Sequence, residues 1–483
     1  MTTLLITGGR VLDPASGFDQ IADVAIADGR VVEIGPDLAR QPAVRVIDAT
    51  GMIVCPGLID PHVHLREPGQ EHKETIQTGS LAAIAGGFTT VCCMPNTTPA
   101  IDSPEIVRFI ADRARAEARC RVFAVAAATR GRQGIEPTEL RLLAKAGAVA
   151  FSDDGDVVAS AGMMLGVMRE IAPLGLCFMQ HCQEPTLTRG ATMHAGDVST
   201  RLGLIGWPRV AEELIIERDV RLVAESGCRY HVQHLSSGGS VEIVRQARAA
   251  GLPVTAEASP HHLLLTHEAV AVGPASSRCE NHRHLEDGTA KAHRLEASAT
   301  SAHRLEAGAT GYNTSAKMNP PLREQSDIDA IRAGVADGTI TVLATDHAPH
   351  TPDEKAQPFE DAPFGIIGLE TALPLYAEAL VHSGAIDWPR LLALLTIEPA
   401  RLCNLDRARK QNDGLGELFA GGPADITIID PDAEWTIAED TLAGKSVNTP
   451  FLGRTVRGRA VATIVGGEVV MERDRTVHAL PSE

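Results

Sequence analysis

Aromatic residues are scarce in this chain, at 3% of the composition, so aliphatic side chains and alanine must fill its core. No apolar run approaches the roughly 20 residues needed to cross a bilayer. The opening stretch, MTTLLITGGRVLDP, has neither a basic n-region nor a long apolar h-region, so no export signal is expected. Basic residues are outnumbered, 44 against 62 acidic, for a formal net charge of -18. That balance argues against a nucleic-acid partner or an acidic membrane surface, either of which needs a basic patch. It leaves the charge of a small substrate open, because a few local arginines can override a distant acidic surface. The nine cysteines are irregularly spaced and include the adjacent pair Cys92 and Cys93. They form neither a disulfide framework nor a CxxC metal knuckle, and a reduced, cytoplasmic setting is the expectation.

What is present is ample apolar material, 44% of 483 residues, enough for one large domain and a smaller one. Both ends of the chain read as β-rich. ADVAIADGRVVEIG is two alternating strands around Asp28-Gly29, a hairpin signal. ADITIIDPDAEWTI and GRAVATIVGGEVVMER repeat the pattern near the other end, with Gly466-Gly467 at the turn. Neither end has enough strands to close a sheet alone, so residues 1–55 and 415–483 are predicted to pair into one small β domain.

Between them, over residues 56–414, short apolar runs alternate with helical segments. The strand candidates are MIVCPGLI, FTTVCCM, RVFAVAAA, AVAFS, LCFMQ, RYHVQ, PVTAEA and TITVLAT. Segments such as PEIVRFIADRARAEAR and WPRVAEELIIERDVRLVAESG carry helical periodicity. Eight strands alternating with helices predict an α/β fold of the (β/α)₈ barrel type. An open doubly wound sheet is the alternative, but no GxGxxG or phosphate loop follows the first strand. Residues 279–310 break the rhythm with tandem AHRLEASATS and AHRLEAGAT units, read as a surface insertion. Its His282, His284, His293 and His303 are read as part of a solvated repeat.

Ligand-type side chains stand at the ends of the predicted strands. His62 and His64 lie in IDPHVHLREPG, and an HxH pair on an extended segment points both imidazoles to one face. Two imidazoles so placed suit one Zn²⁺. Asn96 follows the second strand, Asp153 and Asp154 the fourth, His181 the fifth, His234 the sixth, and Asp346 and His350 the eighth. In a barrel of this type the C-terminal strand ends form one mouth, so these residues should converge into the set a metal-assisted hydrolase uses. Any one strand-end histidine is more often a satisfied polar group than a ligand; four with two carboxylates are not explained that way. His231 is read as a core histidine, His261 and His262 as caps of the next segment, and Cys182 as packing.

The motifs DPHVHLREPG, MPNT, FSDDG, HC, HLSS, SPHHLLLT, KMNPPLR, TDHAPH and APFGIIGLET run in this order along the chain. In them the sequence closely resembles the class I dihydroorotases of the amidohydrolase superfamily, over nearly its whole length apart from the insertion. The resemblance implies that His62, His64, His181 and His234 are metal ligands. It makes Asp154 the carboxylate between metal positions, with Asp153 the fallback. Asp346 would be both ligand and proton-transfer residue. Many relatives bridge two metals with a carboxylated lysine, but strand four offers none, and Lys145 before it should be ordinary surface. Arg66, Asn96, Asn319 and His350 match substrate contacts, with the backbone of Phe364 and Gly365 reading the ring.

The activity so implied is the reversible hydrolysis of (S)-dihydroorotate to N-carbamoyl-L-aspartate, in pyrimidine biosynthesis. The implied cofactor is Zn²⁺, one or two ions per subunit. A homodimer is the family expectation, and aspartate carbamoyltransferase is a candidate partner. The alternatives are a hydantoinase or allantoinase acting on an uncharged cyclic amide, or an inactive scaffold for that carbamoyltransferase. Arg66, a planar fork suited to a carboxylate, argues against the first. The complete set of six ligand-type residues argues against the second.

Overall fold

A computed structural model describes residues 2–38, 43–271, 312–406 and 414–473. The predicted insertion at 279–310, with its histidines, lies outside the described residues. The chain opens with five strands: β1 (Thr2–Asp13), β2 (Phe18–Ala27), β3 (Arg30–Gly35), β4 (Ala43–Asp48) and β5 (Ile53–Pro56). Asp28 and Gly29 both adopt positive φ, 51° and 74°, at the β2–β3 turn, as a tight hairpin requires.

The barrel strands follow: β6 (Leu58–Val63), β7 (Phe88–Cys93), β8 (Arg121–Ala126), β9 (Ala150–Phe151) and β10 (Cys177–Gln180). After a two-strand ribbon of β11 (Met193–His194) and β12 (Gly206–Trp207) come β13 (Arg229–Val232), β14 (Val254–Ala258) and β15 (Val342–Leu343). The eight barrel strands are parallel neighbours from β6 to β15 in chain order. A parallel bridge between Val63 and His347 joins the two ends, so the sheet closes as a (β/α)₈ barrel.

The helices form where the apolar spacing placed them. Pro104–Glu117 starts with Pro104 in its first turn and turns Val107 and Ile110 inward. Val210–Ser226 ends on Gly227 at φ 67°, which frees its backbone to leave the helix. Inside the barrel, Ile59, Cys92, Val125, Ala150, Cys177, Met179 and Val342 form one buried cluster with Ala400, Leu402, Cys403, Leu405 and Leu415. Ala150, Cys177 and Val342 begin their strands, so this apolar packing fills the N-terminal end.

Near the C-terminal end of the chain, β16 (Ile426–Thr436), β17 (Thr455–Val465) and β18 (Glu468–Glu472) complete a second sheet. Its order is β18-β17-β16-β5-β1-β2-β3, with β4 also paired to β1. Strands from both ends of the chain therefore share one sheet, joined where β5 runs antiparallel to β16.

One expectation needs correction. MIVCPGLI does not form a single barrel strand: Ile53–Pro56 belongs to the second sheet and Leu58–Val63 to the barrel. The break falls at Gly57, where a Cβ would lie 2.0 Å from Thr89 Oγ1. Only glycine fits there, and the chain changes sheets across that one residue. Consequently His62 lies within its strand rather than after it.

Candidate active site

Four imidazoles and two carboxylates meet at the C-terminal mouth of the barrel. On β6 and its extension, the period-two alternation turns His62 and His64 to the same side, ring centroids 5.4 Å apart. Their Nε2 atoms reach within 3.4 and 3.5 Å of the Asp154 carboxylate. From the opposite side His181 Nδ1 lies 3.6 Å and His234 Nε2 3.8 Å from Asp154 Oδ1. His62, His64 and Asp154 thus make one group of metal-ligand spacing, and Asp154, His181 and His234 a second, with Asp154 common to both. Asp346 Oδ1 stands 3.0 Å from His64 Nε2 and 3.5 Å from His62 Nε2.

The outer ring nitrogens show what the inner ones are for. His62 Nδ1 meets Glu257 Oε1 at 2.6 Å, His64 Nδ1 meets Asn96 Oδ1 at 2.8 Å, and His181 Nε2 meets Gln183 Oε1 at 3.0 Å. All three partners are acceptors, so each outer nitrogen carries the proton and each inner nitrogen presents a lone pair. His62 Nε2 is buried without a hydrogen-bond partner, and His181 Nδ1 faces His234 Nε2 at 2.9 Å. Lone pairs crowded around a buried carboxylate fit a divalent cation of the nitrogen- and oxygen-binding kind.

The adjacent carboxylate does different work. Asp153 accepts from the backbone of Ala128 at 2.9 Å and Thr129 at 3.0 Å, and from the Thr129 hydroxyl. It is engaged away from the imidazoles and ties the loop to the preceding strand. Lys145 is exposed on the helix Leu140–Ala146, as anticipated.

A cavity of about 130 Å³ opens beside the cluster and is lined by Arg66, Asn96, Asn319, His350, Phe364 and Gly365 together with His64, Asp154, His181, His234 and Asp346. Arg66 is buried, and its Nε donates to Pro349 O at 3.2 Å while Nη2 lies 3.2 Å from His350 Nε2. Burial pulls its guanidinium down to about 10, although Asp346 and Asp154 favour the charge. His350 meets Phe364 O at 2.8 Å through Nε2, and burial with Arg66 beside it keeps this imidazole neutral. Asn319 Oδ1 is buried without a hydrogen-bond partner. Gly365 N donates to Lys317 O and Gly365 O accepts from Asn448, so at Gly365 both backbone groups already have partners.

Three of the mouth residues are left-handed without being glycine: Arg66 at φ 63°, His234 at 29° and Asp346 at 51°. Backbone held in this region costs on the order of 1–3 kcal/mol per residue and clusters where side chains must be aimed.

Sequence reasoning missed Glu257. Fully buried in β14, it holds His62 on one oxygen and His231 on the other, 2.9 Å away. Its signal was a carboxylate inside the predicted strand PVTAEA. His231 is a buried histidine bonded to Thr255 and Glu257, as a core reading implies. His261 and His262 differ from expectation: they lie buried inside the short helix Pro260–Leu264, whose cap is Ser259. Cys182 packs against Tyr230, its Sγ 3.5 Å from the hydroxyl.

Comparison with known proteins places this arrangement. A family model described as dihydro-orotase-like matches residues 51–240. The dihydroorotase of Trichlorobacter lovleyi is 43% identical over 467 residues, covering 97% of this chain and 99% of its own. That of Geobacter sp. strain M21 is 44% identical over 469 residues, with the same coverage of 97% and 99%. Among solved structures, the L-hydantoinase (dihydropyrimidinase) from Arthrobacter aurescens superposes with a TM-score of 0.80 at 24% identity, covering 98% of this chain and 97% of that one. The dihydropyrimidinase from Brevibacillus agri gives 0.76 at 22%, over 98% and 95%. At such identities these structures speak for the fold alone.

Proposed function

The chain belongs to the dihydroorotase family, hydrolases that act on a cyclic amide, and from that premise we propose how its residues divide the work. The reaction opens the dihydroorotate ring to N-carbamoyl-L-aspartate and closes it again in pyrimidine biosynthesis. The observation that carries the assignment is Asp154 shared between two groups of inward-facing imidazoles, next to a cavity that Arg66 lines.

His62, His64, Asp154, His181, His234 and Asp346 would hold Zn²⁺, one or two ions per subunit. Bound there, the metal supplies a water acidified from a pKa of about 15.7 towards about 7, and a Lewis acid for the scissile carbonyl. Asp346 then takes the nucleophile's proton and delivers it to the departing ring nitrogen. In the reverse direction the same carboxylate begins protonated. Glu257, Asn96 and Gln183 fix the tautomers of His62, His64 and His181, so that these three imidazoles keep an N–H turned away from the cluster. Arg66 takes the substrate carboxylate, with Asn96 and His350 adding hydrogen bonds. Asn319 meets a ring amide through its unpartnered oxygen, and Phe364 and Gly365 close the remaining wall.

The same reading takes residues 1–55 and 415–483 as a composite β domain around a catalytic barrel of 56–414. It includes a homodimer and an association with aspartate carbamoyltransferase. Elemental analysis coupled to a dihydroorotate assay in both directions tests the proposal. Metal-bearing protein that opens dihydroorotate and closes carbamoyl aspartate is the expected result; a preference for uncharged hydantoins would overturn it.

A further inference from the structure

After Asp346 the chain leaves the barrel, forms a short helix at Pro352–Lys355, and returns where Ile366 bridges to His347. This strap ends at Phe364 and Gly365, which line the cavity. Two buried lysines hold it. Lys317 Nζ donates to the carbonyls of Phe359 at 2.7 Å, Glu360 at 3.0 Å and Ala362 at 2.6 Å. The same ammonium lies 4.5 Å from the centroid of the Phe364 ring. Lys355 Nζ donates to Pro363 O at 2.8 Å and to Thr314 O at 3.0 Å.

Every hydrogen-bond partner of either ammonium is a backbone carbonyl, and neither side chain is more than 6% exposed. Carbonyl dipoles solvate an ammonium but leave its net charge uncancelled. Burial lowers Lys317 to about 8 against the pull of Asp361 and Glu360, and burial, with Lys317 and Arg66 nearby, lowers Lys355 to about 7 against that of Glu354. Arg66 thus lines the cavity, and the two ammonium groups stand behind its Phe364 wall, Lys317 over the ring and Lys355 on the carbonyl of Pro363.

Resting on the functional reading above, we propose that Lys317 and Lys355 are positioning residues that make the pocket selective for a ring bearing a carboxylate. Their ammonium groups pin the strap from Phe359 to Pro363, which aims Phe364 and Gly365. Their charge adds to the field that Arg66 presents to the anion, although neither amine touches it. Two roles are thus combined: shape through five carbonyl bonds, and charge through the field.

The test is the pair Lys317→Met and Lys355→Met, assayed with dihydroorotate and with two ring inhibitors, orotate and uncharged uracil. The KM for dihydroorotate and the inhibition constant of orotate should rise about tenfold or more. Turnover should change by less than about threefold, the split expected of lost binding rather than lost chemistry. Uracil inhibition should weaken several-fold less than orotate inhibition, because both rings lose the pinned strap but only the anion loses the field, and metal content should stay near the wild-type value. Orotate inhibition unchanged within about twofold would overturn the proposal, as would equal losses for orotate and uracil. Should the Lys317 variant fail to fold, Lys355→Met decides alone, because it removes two hydrogen bonds instead of three. Wild-type protein that binds orotate yet fails to open dihydroorotate would count against the functional reading and leave this comparison intact.

Discussion

The two ends of the barrel are built from the same eight strands and resemble each other in nothing else. The N-terminal end is filled by Ile59, Val125, Cys177 and Val342 packed on Leu402, Cys403 and Leu405. The C-terminal end gathers four imidazoles, two carboxylates, a buried arginine and three residues in left-handed backbone. Burying polar groups and straining backbone costs free energy, and burying aliphatic surface offsets it. One end therefore stabilises what the other end spends on chemistry.

Substitutions should separate the ends cleanly. The largest effect is expected at the mouth: Asp346→Asn should lower turnover on the order of 10²–10⁴-fold while metal content, read by elemental analysis, stays largely intact. Activity within a few-fold of wild type would remove Asp346 from the proton-transfer role. Next, Glu257→Gln should weaken metal binding by roughly 10–100-fold in chelator competition, because His62 loses the carboxylate that holds its tautomer. Unchanged affinity would make Glu257 a packing group. Arg66→Ala should raise the dihydroorotate KM by an amount equivalent to about 1.5–3 kcal/mol and spare an uncharged cyclic amide. Equal losses on both substrates would make Arg66 structural. At the other end, Leu405→Ala should cost about 2–5 kcal/mol in denaturant unfolding with kcat/KM unchanged. A parallel fall in kcat/KM would show that the two ends are not independent.

Much of the mouth was legible because strand-end position and residue type are both local properties. HxH can be read from three letters, and TDHAPH from six. The helices at 104–117 and 210–226 were legible through their spacing and their proline and glycine punctuation. Gly57 was not, because its reason is Thr89, a residue brought to it by the neighbouring strand. The distinct roles of Asp153 and Asp154 were equally out of reach of periodicity. They depend on Thr129 turning one carboxylate away, and the choice between them rested on family resemblance. Glu257, Gln183 and the two lysines escaped for a related reason. Each acts through a partner, and partners distant in the chain leave no spacing to read.

The single residue between β5 and β6 also orders events during synthesis. β5 is held by β16, and Pro56 pairs with Ile426, so the strand that bears His62 is anchored upstream to polypeptide made near the far end of the message. Its downstream neighbour His64 is held by the backbone of His347, which is also translated late. The first two imidazoles to leave the ribosome thus depend on partners made hundreds of residues later. Nascent chains carry an incomplete set of ligands until Asp346 has emerged, and a product terminated before Ile426 lacks the strand that pairs with β5.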